Sequence, residues 1–128
     1  MSGSKSSIVR SYTTQLNSKN FNAAHNHLGD NFRVFVDSQH RAFPSEGLTA
    51  AEHKKFTDEA TADYDQIETK FESLVENGNE VNGTVVTTFV GRKPDGSTYK
   101  GTARAENKYV FEGDKLVQHH VKVLGVTV

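Results

Sequence analysis

Cysteine is absent from this chain of 128 residues. That absence removes disulfide frameworks, thiolate nucleophiles and zinc sites built on cysteine. Charge of one sign is also lacking, since 15 basic side chains face 16 acidic ones for a net charge of -1. No block of five or six like charges occurs, which argues against nonspecific nucleic-acid or anionic-membrane binding as the main role. Long hydrophobic runs are missing too, so no segment is long enough to span a bilayer. The opening Met1-Ser2-Gly3-Ser4-Lys5-Ser6-Ser7 has no apolar core of the signal-peptide kind, and a cytoplasmic protein is the expectation. The hydrophobic fraction is a lean 34% with ten glycines, still outside the disordered class. What is there has the length of one domain with one core. The expectation is a single domain over 1–128, with residues 1–6 disordered.

Ile8, Tyr12 and Leu16 recur at every fourth position with Val9 alongside, the stripe of an amphipathic helix. Phe21, Ala24 and Leu28 keep a helical spacing behind a capping Asn20, and Gly29 ends that second helix. Asn31 to Asp37 is β-branched and aromatic and reads as a strand, with Phe32, Val34 and Val36 on one face and Arg33, Phe35 and Asp37 on the other. Thr49-Ala50-Ala51-Glu52 is a capping box that opens a third helix carrying Phe56. Everything later is strand-like. Ile67, Thr69, Phe71, Ser73 and Val75 alternate with polar neighbours up to Asn77-Gly78, a strong hairpin signal. Further strands run from Val81 to Arg92, Thr98 to Phe111 and Lys115 to Val126, separated by Pro94-Asp95-Gly96 and Glu112-Gly113-Asp114. Helices first and strands last predict an α+β domain, three helices packed on one face of an antiparallel sheet. Strong curvature of that sheet would make a cone open at one end, and Gly83, Gly101, Ala103 and Ala105 fit such bending.

In order and spacing the chain resembles the nuclear-transport-factor-2-like superfamily, in its SnoaL-like and ketosteroid-isomerase-like branches, from Ile8 to Val123. The matching pieces are Val9 to Asn17, Gly29-Asp30, Gly47-Leu48, Asp95-Gly96, and Tyr109-Val110-Phe111-Glu112-Gly113-Asp114-Lys115-Leu116-Val117-Gln118-His119-His120. The resemblance implies a cone-shaped α+β barrel. It does not fix an activity, because the fold hosts isomerases, cyclases, dehydratases, hydrolases and plain interaction domains. Tyr12 stands where ketosteroid isomerases place an oxyanion-donating tyrosine. Their general-base aspartate matches Val36, with Asp37 one residue out and therefore on the other face of a regular strand. Their second oxyanion donor, a protonated aspartate, matches Asn107, whose amide still donates a hydrogen bond. Steroid isomerisation itself is therefore not expected unless a bulge turns Asp37 inward.

His119 alternates with Val117, Val121 and Val123, so an extended strand places it on their apolar face while His120 and Lys122 point away. In the resembling proteins this face lines the pocket. A histidine there, with an unperturbed pKa of about 6.5, can take or give a proton at neutral pH. The alternative is a core or interface histidine satisfied by one hydrogen bond. Tyr12 and Asn107 carry the same pair of readings, pocket donors or ordinary buried polar groups. The pocket lining expected beside them is Phe32, Val34, Val36, Phe56, Phe71, Tyr109 and Val121. The polar stretch Ser38–Glu46 is expected to lie over the cavity mouth, with His40 or Arg41 in reach of a ligand. No metal site is expected, since His25 and His27 do not share a helix face and His119 and His120 point to opposite sides of a strand.

The first functional expectation is an enzyme without cofactor, acting by acid–base chemistry as isomerase, cyclase or lyase on a small hydrophobic molecule of polyketide, terpenoid or steroid type. His119 is then the acid or base, and Tyr12 and Asn107 stabilise the oxyanion. The other is a ligand-binding or assembly module without catalysis, because the closing strand also resembles the association domains of calcium/calmodulin-dependent kinases. Either reading predicts a homodimer through the outer sheet face, where Val86, Thr88 and Val90 are semi-apolar.

Overall fold

In a computed structural model that describes residues 5–18, 20–38, 42–62 and 64–127, the chain runs α1 (Lys5–Asn17), α2 (Phe21–His25), β1 (Leu28–Asp37), α3 (Ala50–Thr61), β2 (Tyr64–Asn77), β3 (Glu80–Arg92), β4 (Thr98–Glu112) and β5 (Lys115–Thr127). Helix α1 buries Val9, Tyr12 and Thr13, with Ile8 and Leu16 packed beside them, as its stripe predicts. Lys5 and Ser6, expected to be disordered, belong to this helix, and residues 1–4 lie outside the described residues. Glu76 of β2 accepts from Ser6 N at 3.0 Å, giving an orphan first-turn amide a charged partner. At the other end the Asn17 side chain copies a strand, donating to Thr69 O at 3.2 Å and accepting from Thr69 N at 3.3 Å. The free edge of β2 is thereby closed at its middle.

Asn20 caps α2 through Ala23 N at 3.3 Å. That helix is shorter than its spacing predicts, because Leu28 already opens β1. The capping box at α3 forms as expected, Thr49 Oγ1 accepting from Glu52 N at 3.1 Å and Glu52 Oε1 from Thr49 N at 3.0 Å.

The sheet is ordered β1-β5-β4-β3-β2. Strands β2 to β5 form the expected antiparallel meander, but β1 joins β5 in parallel, so the sheet is mixed. The reason is topological: β1 is separated from β5 by most of the chain, and such a long connection allows the parallel pairing that a hairpin forbids. The other edge of β1 is covered where Val34 N donates to Leu48 O at 2.9 Å and Leu48 N to Val34 O at 2.7 Å.

Four register shifts bend the meander, at Tyr64/Gln66, Phe71/Ser73, Arg104/Ala105 and Val110/Phe111. Each changes which side chains face inward, and two of them overturn the simple alternation most visibly. After the shift at Phe71/Ser73, Leu74 stands over Gly83 on the inner face, and Val75, predicted to share the face of Phe71, is 62% exposed. In β5 the pairing passes from Leu116 to Gln118, so Leu116 and His119 are both buried while Val117 leaves their face. A bulge inserts one residue and thereby inverts the alternation beyond it.

Curvature also brings backbone and rings into close approach. Phe89 lies over Gly101, its cross-strand partner, so a Cβ built there would run into the Phe89 ring. Gly101→Ala is expected to destabilise the fold by roughly 1 to 3 kcal/mol, the usual range for overpacking. Urea denaturation is the check, and an unchanged midpoint would show that the ring yields without cost. The core at the closed end of the cone unites Val9, Tyr12, Ala24, Phe32, Val34, Leu48, Val81, Tyr109, Phe111 and Leu116.

Candidate functional site

Between α1 and the concave face of β2 to β5 lies a cavity of about 380 Å³. Its walls are mostly apolar, including Leu16, Ile67, Val85, Phe89, Ala103 and Val123, and its inner end carries Tyr12, Asn107, Tyr109 and His119. That volume lies within the range of sites that hold small organic ligands. A larger hollow of about 670 Å³ beside β2 is lined by exposed polar residues such as Asp65, Gln66, Glu68 and Lys100 and contains none of the buried titratable groups. The smaller cavity is therefore the chemically furnished one.

The register places Tyr109 opposite His119 and Asn107 opposite Val121, so Asn107 and His119 meet on the diagonal of one face. His119 Nε2 lies 2.6 Å from Asn107 Oδ1. An amide oxygen only accepts, so the imidazole carries its proton on Nε2 and keeps a lone pair on Nδ1. Among the described residues neither His119 Nδ1 nor Asn107 Nδ2 has a hydrogen-bond partner, although both are buried. Such groups are costly in an interior. Both residues border the cavity while the two atoms themselves are enclosed, so a ligand satisfies them once the side chains turn toward it.

Rings hold the imidazole in place. Tyr109 stacks on it at 4.4 Å between centroids, Tyr12 meets it edge-on at 6.0 Å, and His53 of α3 does so at 6.5 Å. Burial, helped by the neighbouring His53 and His120, holds the His119 pKa well below the ordinary histidine value. Burial pushes His53 down to about 4, with His25 adding to the effect. Both imidazoles are neutral at pH 7. Burial, and secondarily Tyr109, raises the Tyr12 hydroxyl pKa, so it stays protonated and able to donate. Tyr109 is raised by burial as well, opposed by its hydrogen bond with Thr13.

Of the residues expected at the pocket, His119, Tyr12, Asn107, Tyr109 and Val121 line this cavity. The structure brings the others elsewhere. Phe32 and Val34 are buried in the closed end of the cone, Phe32 being edge-on to Tyr12 at 6.3 Å. Val36 borders a separate hollow with Phe35 and Asp37, and Phe56 packs edge-on against Phe43 at 5.2 Å. Phe71 lies under the Arg10 guanidinium at 5.5 Å. For Phe32, Val34 and Val36 the reason is that β1 is the sheet edge farthest from β2 and β3, whose inner residues form much of the wall. Asp37 stays outside: the pairing of Arg33–Asp37 with Gln118–Lys122 is continuous, no bulge turns it inward, and it remains exposed opposite Lys122. Phe43, Pro44 and Ser45 border that same separate hollow and not the cavity, while His40 and Arg41 lie outside the described residues.

His53 escaped the sequence reading. It stands three residues before Phe56 on α3, a helical spacing that puts both on one side of the helix, and that was the available signal.

No family profile matches the chain, and no curated protein matches it. Among solved structures the chain is similar in fold to IdmH from Streptomyces antibioticus, described as a candidate polyketide cyclase, at 12% identity and a TM-score of 0.79 over 95% of this chain and 93% of that one. A candidate SnoaL-like polyketide cyclase from Shewanella putrefaciens CN-32 is similar at 13% identity and a TM-score of 0.77, over 96% and 91% of the two chains. AclR from Streptomyces galilaeus, a candidate hydroxylase, is similar at 9% identity and a TM-score of 0.75, over 93% and 87%. The architecture is that of the SnoaL-like and NTF2-like proteins, a cone-shaped α+β fold.

Proposed function

We propose that the chain, acting as one domain in the cytoplasm, is an acid–base enzyme without cofactor that isomerises, cyclises or eliminates on a small hydrophobic, enolisable molecule. The observation that carries this reading is the buried His119–Asn107 pair, with a lone pair on Nδ1 and an amide NH₂ both lacking partners at the end of an apolar cavity. In the proposed step His119 Nδ1 takes a proton from the carbon next to a carbonyl. The electrons of that C–H bond form the enolate, and Asn107 Nδ2–H and the Tyr12 O–H stabilise its oxygen. Return of the proton to a different carbon completes an isomerisation, and expulsion of a leaving group completes an elimination. The polyketide-cyclase descriptions of IdmH and the Shewanella protein support this class of chemistry. An assembly module without a ligand would have no use for a hollow of this size ending in two unpartnered polar groups.

The test needs no knowledge of the natural substrate. 2-Tetralone, a bicyclic enolisable ketone, should exchange its α-hydrogens in D₂O faster with the protein than with an equal concentration of free imidazole, read by NMR. Exchange no faster than with imidazole would overturn the reading.

The same proposal includes a homodimer through the outer sheet face, where Val86, Thr88 and Val90 are half-buried among charged neighbours such as Lys70 and Arg104. Sedimentation velocity at micromolar concentration should give a dimer; a monomer would remove this part of the proposal.

A further inference from the structure

The cavity has a second polar site, partway along its wall, that the proposed chemistry does not use. Thr69 of β2 and Thr87 of β3 are cross-strand partners on the inner face, their hydroxyl oxygens lie 2.8 Å apart, and both residues line the cavity. One hydroxyl donates to the other, which leaves the pair one O–H proton and spare lone pairs for a third group. The Thr69 backbone is already occupied by the Asn17 side chain, so the hydroxyls, and not the main chain, are what this site offers.

Register fixes how far this pair stands from the His119–Asn107 end. Thr87 is opposite Ala103, and Asn107 is four residues farther along β4, about 13 Å at the rise of a strand. Side chains converge toward the axis of a curved sheet and each hydrogen bond spans about 2.9 Å, so the ligand atoms they reach are on the order of 10 Å apart. Between the two sites the wall is apolar, with Val85, Ala105 and Val123, and Ile67, Phe89 and Tyr64 continue it beyond the threonines.

The geometry points to an elongated ligand of two or three rings, with a carbonyl at the His119–Asn107 end and a hydroxyl at the far end held by the Thr69–Thr87 pair. This substrate class rests on the proposed function for its carbonyl end alone. The threonine site stands on its own residues.

The probes are 4-acetylbiphenyl and 4-acetyl-4′-hydroxybiphenyl, which share a ketone and differ by one hydroxyl at the far end. Isothermal titration on the full chain should show the hydroxylated probe binding about tenfold more tightly, the effect of one hydrogen bond made out of water. In Thr69→Val and Thr87→Val, which keep side-chain shape, the ratio of the two affinities should fall toward one. Thr87→Ser should restore the preference, and circular dichroism verifies that each variant is folded. Equal affinities in the wild type, or a preference that survives both valine variants, would overturn the inference. Failure of 2-tetralone exchange together with an intact hydroxyl preference would remove the catalytic reading and leave the threonine site standing. If neither biphenyl binds, the two-ended ligand class is wrong.

Discussion

Replacing His119 by alanine is expected to lower protein-dependent exchange of 2-tetralone by roughly 10² to 10⁴, the usual contribution of a positioned acid or base. The variant removes the only imidazole among the described residues that lines the cavity, and it also strips Asn107 Oδ1 of its partner, so alanine alone mixes chemistry with structure. His119→Gln separates them. Its amide can still meet Asn107, but it cannot accept a proton near neutrality. Both variants should lose exchange, and the glutamine form should lose less stability in a thermal melt. Exchange within twofold of wild type in folded His119→Gln would show that the base lies elsewhere. The pH profile is a second readout. A general base must be unprotonated, so the rate rises through its pKa and is flat above it. With the His119 pKa held well below the ordinary value, the plateau should extend below pH 6.5, with no inflection at the position of a free histidine.

Acid should destabilise the fold well before its carboxylates are neutralised. Histidines whose pKa is depressed by folding are neutral in both states above about pH 6.5, where they contribute nothing to the pH dependence. As pH falls below that value the unfolded chain takes up protons that the folded chain refuses, so stability drops. The slope is about 1.4 kcal/mol per pH unit for each such histidine until its folded pKa is reached. For His53 that limit is about 4, and for His119 it also lies well below the ordinary value. Between pH 7 and pH 5 the melting temperature should fall by on the order of 10 °C. His53→Phe, which removes one of the two most deeply buried of these groups, should show a shallower decline over the same range. A melting temperature constant to within two degrees from pH 7 to pH 5 would contradict the burial assigned to both rings.

How much of this was legible in the sequence depended on whether a period ran unbroken. The stripe of α1, the capping box at Thr49 and the Asn77-Gly78 turn are local signals, and all appear as read. The alternation Asn107, Tyr109, Phe111 crosses a register shift whose extra residue lies in β5, so all three remain buried. Where the extra residue falls within the segment itself, as beyond Phe71 or at Val117, simple alternation assigns the wrong face. Leu74 rather than Val75 then turns inward. The distance between His119 and Asn107 could be anticipated only as a shared face; their hydrogen bond depends on strand register. The mixed sheet was beyond local signals, since nothing in the residues of β1 says which strand it will meet.

The parallel pairing of β1 with β5 also sets an order of events for the nascent chain. β5 follows every other element yet lies inside the sheet, between β1 and β4, and it carries His119. Until it leaves the ribosome, β1 has no sheet neighbour and the inner edge of β4 is open to solvent. Closure therefore waits for contacts between the two ends of the described chain, which makes folding slow and leaves an aggregation-prone edge during synthesis. A stalled or clipped chain that ends before β5 would keep the β2–β3–β4 meander but lack its proposed base and the strand that joins β1 to it, so no half-active form is expected.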